Sequence, residues 1–217
     1  MAKNDTPQDA TLAEVESHVP EQLHPILEAA FKYQKQLVIG VAAIIAVTAI
    51  YAGLNAYNQN AMATAQNKLG TILIEASGDD KIAKLKTLLA VAPSAAKPAV
   101  LLELAQSSII NGDYDNAVSY WDQLAGEADD DLAFVARLGK AKALTLAGKG
   151  GEAVTELKDL AGIAPAAFTI PVYRQLAVAA ELAGDTNEAL AAYQKLAEQP
   201  VSDKPFIDFK VAQLSAQ

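Results

Sequence analysis

Only two histidines occur in this chain, His18 and His24, and histidine is the side chain that most readily moves protons near neutral pH. Six residues apart, they do not share one helical face, and no cysteine or paired acid completes a zinc site with them. A Ser-His-Asp nucleophile would need a histidine beside the larger C-terminal part, which has none. The acidic run Asp129-Asp130-Asp131 lacks the glycine turn and alternating ligands of a calcium loop, and reads as a solvated helix cap. Gly148-Lys149-Gly150-Gly151 is rich in glycine, but it matches neither phosphate-binding signature and lies between helical stretches. No spacing singles out a carboxylate pair for hydrolysis. The expectation is a chain that is not an enzyme, with no cofactor and no metal.

The elements around these residues carry more information. A glycine followed five residues later by an alanine recurs as Gly78…Ala83, Gly112…Ala117, Gly148…Ala153 and Gly184…Ala189. Successive glycines lie 34, 36 and 36 residues apart. Such a period, with glycine between alanine-rich stretches, predicts stacked helical hairpins, which make surfaces for other proteins. In the second unit the helices are expected at Pro98 to Asn111 and Tyr114 to Leu124, with glycine as a left-handed stop and Asp113 as the next cap. Gly184-Asp185 and Gly78-Asp79-Asp80 repeat that device, and Gly148 lacks the aspartate. The alanines are expected where paired helices cross, because a methyl group permits close approach. Leu124, Leu160 and Leu196 follow at a fixed offset from the last three glycines, as do the larger Trp121, Leu157 and Tyr193. In the first unit the same offsets fall on Thr87, Ala90 and Val91, which makes that unit degenerate. Prolines at 93, 98, 165, 171 and 200 mark boundaries. Residues 204–215, with Phe206, Phe209, Val211 and Leu214, are expected as a final helix covering the last exposed face.

Composition agrees with packed helices: 52% of residues are apolar and only 6% aromatic. The net charge of −9 argues against nucleic acid as a partner, since no basic face is available for phosphates. Without cysteine there are no disulfides and no lipidated cysteine.

Leu37–Leu54 holds eighteen residues without a charge. As a helix it extends about 27 Å, near the roughly 30 Å thickness of a bilayer core. Tyr33, Tyr51 and Tyr57 lie near its ends, where such rings favour the headgroup level. Lys32 and Lys35 precede it and the next positive charge is Lys68, so the N-terminus is expected in the cytoplasm. Ala61-Met62-Ala63 resembles a cleavage site but lies too far from the apolar run, and an uncleaved anchor is the better reading. The expected organisation is a short tail at 1–36, a membrane helix at 37–54, a helical connector at 55–65 and a repeat domain at 66–217. Within the tail, Leu23, Ile26, Leu27 and Phe31 form a helical stripe leading into the membrane.

Gly112-Asp113-Tyr114…Ala117, followed by Trp121 and Leu124-Ala125, resembles the tetratricopeptide repeat, and so does Gly184-Asp185…Ala189…Tyr193…Leu196-Ala197. Together with the anchor, Leu101–Gln106 and the ending Phe209–Leu214, the layout resembles the YfgM-like family. The resemblance implies an all-α protein: one N-terminal transmembrane helix, then a tetratricopeptide-like solenoid of about four hairpins with a C-terminal capping helix. It also implies an accessory subunit of the bacterial Sec translocon, in the inner membrane with its repeats in the periplasm and a chaperone-like role. The other reading is a scaffold subunit of a different envelope complex. In tetratricopeptide units the first helices line the concave face, which places Leu102, Gln106 and Ile109, then Val135, Leu138 and Lys142, then Arg174, Val178 and Glu181 toward a groove that is either open to an extended, partly apolar protein segment or filled by another helix of the same chain. This set lacks the lysine and asparagine clamp that some such proteins use for a terminal carboxylate.

Overall fold

A computed structural model describes residues 34–216, with side chains described from Ile44 onward. The tail, including His18, His24 and the stripe from Leu23 to Phe31, lies outside the described residues. Among the described residues there are nine α-helices, two short 3-10 turns and no strand. The helices are α1 (Gln34–Glu75), α2 (Gly78–Val91), α3 (Lys97–Ile110), α4 (Tyr114–Glu127), α5 (Asp130–Leu146), α6 (Gly150–Ile163), α7 (Thr169–Ala183), α8 (Thr186–Ala197) and α9 (Lys204–Ser215). The chain divides into two compact units, Met1–Gln59 and Asn60–Gln217.

In the first unit every described side chain, from Ile44 to Gln59, is exposed. Among the described residues no helix is long and apolar enough to cross a membrane. The anchor expected at Leu37–Leu54 lies partly outside the residues whose side chains are described. From Ile44 the apolar run is short, and past Leu54 the helix turns polar at Asn55, Asn58 and Gln59.

In the second unit each helix from α3 to α9 packs on its neighbour in sequence, and α5 also touches α7. The four repeat glycines are the only described residues with positive φ: Gly78 at 55°, Gly112 at 77°, Gly148 at 76° and Gly184 at 72°. Only glycine adopts that conformation without strain. After the last three, a backbone N–H reaches back around the turn: Asp113 to the Ser108 carbonyl, Lys149 to Leu144 and Asp185 to Ala180, each at 2.9 Å. This closes the helix end by the Schellman arrangement and satisfies a carbonyl that would otherwise be orphaned. Asp113 and Asp185 then accept from the N–H groups of Asn116 and Glu188, and Lys149 supplies no such cap. Asp129 caps α5 by accepting from the Leu132 N–H, as the acidic run predicts.

The first unit differs from the sequence-based expectation, and the reason is register. Helices α2, α4, α6 and α8 begin at Gly78, Tyr114, Gly150 and Thr186, each 36 residues after the one before. The period is therefore uniform at the helix starts, although the glycines that precede or open them are not evenly spaced. In this register Leu85 matches Trp121, Leu157 and Tyr193, while Leu88 matches Leu124, Leu160 and Leu196, and all eight are buried. The first unit is not degenerate at those positions. Ala83, expected at a helix crossing, is exposed; Ile82 is buried beside it and Lys81 takes the alanine position. Ala117, Ala153 and Ala189 are fully buried as expected. Asp79 caps nothing and instead accepts from the Asn111 side-chain amide at 2.7 Å, tying one turn to the next. Lys149 does the same with Asp115 at 2.8 Å.

Pro98 sits in the first turn of α3, and Pro93 and Pro165 each lead into a 3-10 turn. Their missing N–H groups cost nothing there, because helix-start donors have no internal partner. Helix α9 spans the expected residues, but its inward side chains are Ile207 and Leu214. Phe206 and Phe209 stay exposed, with Phe206 meeting the Tyr193 ring edge-on at 6.5 Å. The capping helix thus brings aromatic surface of its own.

Candidate protein-binding face

The first helices of successive hairpins, α3, α5 and α7, share the 36-residue register, and burial sorts their faces. Val100, Ala136 and Val172 point inward, as do Ala105, Ala141 and Ala177. Four residues toward the C-terminal end from Leu102, Leu138 and Arg174 the chain is open: Gln106, Lys142 and Val178 are exposed. One further turn along, the last residues are aliphatic and exposed as well: Ile110 at 86%, Leu146 at 43% and Leu182 at 52%. Ile74 of α1, at 87%, occupies the same register position. Residues four apart lie on one helix face, so each of the three helices presents one member of both rows on the same face.

The expected groove residues divide accordingly. Gln106, Val135, Lys142 and Val178 are exposed. Leu102 and Ile109 are half-buried and pack on the core shared by α3, α4 and α5. Leu138 is 8% exposed and belongs to the core of the C-terminal hairpins, so it presents little surface. Lys142, Arg174 and Val178 come together around a cavity of about 350 Å³, joined by Thr145, Leu146 and Gln175. Sequence reasoning missed Ile110, Leu146 and Leu182. The signal was present in their spacing, since aliphatic residues recur at positions 74, 110, 146 and 182.

Two predicted residues are anchored by the C-terminal helix segment. Arg174 donates to Asp203 through both terminal nitrogens, Nη1 to Oδ2 at 2.7 Å. That hydrogen bond holds the Asp203 carboxyl below its usual range and raises the guanidinium further. Glu181 accepts from Lys210 at 2.9 Å. Burial, with the Glu181 charge behind it, pushes the Tyr193 hydroxyl up to about 12. These contacts fix α9 against the last hairpin and leave Arg174's charge at the edge of the cavity.

Elsewhere a second polar cluster lies between hairpins. Arg137 of α5 donates to Glu156 of α6, and Lys140 lies 3.6 Å from the same carboxylate and 2.6 Å from Asp122 of α4. The Asp122 hydrogen bond leads the upward shift of Lys140. Every charge here has an opposite partner, so the cluster is closed upon itself. Among the described residues no group of histidine, cysteine, aspartate or glutamate is placed to hold a metal ion.

Paired helices in a constant register, with one side of the first helices left open, define a stack of tetratricopeptide-like hairpins. No protein-family model matches the chain, and no curated protein does either. Among solved structures it is similar to one described as "MamA RS-1 ArsTM double mutant", with a TM-score of 0.54 and 18% sequence identity. The likeness covers 72% of this chain and 95% of that one, and it shows the fold.

Proposed function

We propose that this chain is a membrane-anchored protein-binding module, an accessory subunit of the Sec translocon that handles proteins emerging on the periplasmic side. The observation that carries the protein-binding part is the open face in constant register, with Ile110, Leu146 and Leu182 exposed on the first helices of three successive hairpins. A row of aliphatic side chains held apart by rigid helices is costly to leave in water and suits a partner chain. The anchor and its orientation rest on the uncharged run Leu37–Leu54 and on the lysines before it. The exposed Ile44, Ile45, Val47, Ile50 and Leu54 around α1 are surface that a bilayer would take up. No catalytic role is proposed.

Membrane fractionation, mild extraction and identification of co-purifying proteins test this reading. Recovery in the membrane fraction with Sec components supports it. Recovery in a fixed complex without them favours an envelope scaffold, and a chain free of the membrane removes the anchor.

A further inference from the structure

Most lysines of the repeats are already engaged: Lys140 with Asp122, Lys149 with Asp115, Lys158 with Glu188 and Lys210 with Glu181. Lys142 has no carboxylate within ion-pair distance among the described residues, and it lines the cavity between α5 and α7. Arg174 adds a second positive charge to the same cavity wall, already shared with Asp203. Leu146 and Val178 supply the apolar part of the lining, beside Thr145. Gln175 lines it too, and its Oε1 is a buried acceptor without a hydrogen-bond partner.

Resting on the protein-binding reading above, we infer that this cavity selects an extended partner segment carrying an acidic side chain and, two residues on, an aliphatic one. The carboxylate meets Lys142, and the aliphatic side chain lies against Leu146 and Val178. The spacing follows from geometry. Lys142 and Leu146 are four residues apart, about 6 Å along the helix axis, and alternate residues of an extended chain are separated by about 6.6 Å. In a chain of net charge −9, an unpaired lysine beside aliphatic surface distinguishes this segment from the acidic surroundings, which repel other acidic partners and favour none of the phosphate-rich ones.

The probe is a fluorescein-labelled peptide, Gly-Ser-Glu-Thr-Leu-Thr-Leu-Ser-Gly, amidated at its C-terminus so that no terminal carboxylate contributes. Its partners are one peptide with lysine in place of glutamate and one with serine in place of both leucines. Anisotropy titrations use the full chain in detergent and its Lys142→Glu variant, whose exposed position leaves the core untouched. The expected result is that Lys142→Glu weakens the glutamate peptide about tenfold and strengthens the lysine peptide by a similar factor, a charge coupling of the size seen for close pairs. The serine peptide binds neither protein. Equal affinity of the glutamate and lysine peptides, with Lys142→Glu without effect, overturns the acidic preference while protein binding through the aliphatic rows stands. Absence of binding by every peptide overturns the inference, and the membrane co-purification then decides the broader reading independently.

Discussion

The hairpins α3–α4 and α5–α6 occupy the same register 36 residues apart, yet they fill it with opposite chemistry. In the first, Leu101, Leu104 and Tyr120 pack into aliphatic cores, and both leucines are fully buried. In the second, the same three positions hold Arg137, Lys140 and Glu156, joined by Asp122 and Asp159. The backbone accepts both because the repeat fixes where a side chain points, not what it must be. What it does require is balance: a charge brought toward the interior needs its counter-charge from the neighbouring helix. The hairpin α7–α8 returns to Tyr173, Leu176 and Ala192, so the ionic set stands between two hairpins that are apolar at these positions.

That contrast is broken most severely by moving one member alone. Leu104→Lys imports the lysine of the next hairpin without its acids, and the unpaired buried charge should cost about 3–5 kcal/mol in urea unfolding. Gly139→Ala comes next. A Cβ at Gly139 would stand 2.6 Å from the Trp121 ring, which lies directly over the glycine. The overpacking should cost about 1–3 kcal/mol, with near-ultraviolet circular dichroism reporting the displaced indole. Glu156→Gln leaves Arg137 and Lys140 with their outer acids only, and a loss of about 1 kcal/mol is expected in the same unfolding assay.

A pH series sharpens the comparison further. The fold raises both Lys140 and Tyr193, holding them protonated, so their contributions are complete below the unfolded values near 10 and are lost as pH climbs through the folded ones. Stability should therefore be flat to about pH 9.5 and fall toward pH 12, and Tyr193→Phe should make the fall shallower. The smallest effect is the most diagnostic of register. Ala83→Gln should change stability by no more than about 0.5 kcal/mol, whereas Ala117→Gln forces a long side chain into a fully buried crossing.

Much of this architecture was legible because helix-stop glycines and the residues after them are local signals. Gly112 and Gly184, each with a following aspartate, announced both the turn and the cap. The first hairpin was misread because Gly78 opens its helix, while the other three glycines stand two residues before theirs. Counting from glycine then landed on Thr87 and Ala90 in place of Leu85 and Leu88. The candidate face was half legible for a related reason. Gln106, Lys142 and Val178 followed from the repeat pattern, but burial of Leu138 depends on how α6 and α7 pack against α5, which no local pattern records. The aliphatic row Ile110, Leu146 and Leu182 recurs every 36 residues, but its exposure depends on packing between helices, which spacing alone does not record.

Photo-crosslinking in intact cells tests the central claim most directly, with a benzophenone residue placed in turn at Gln106, Lys142 and Val178 and at the exposed second-helix positions Ser119, Thr155 and Ala191. Covalent adducts to other proteins should form from the first three sites and be lost when Leu146 and Leu182 are changed to aspartate. Adducts formed equally from both sets, or from the second-helix set alone, would contradict a recognition face on the first helices.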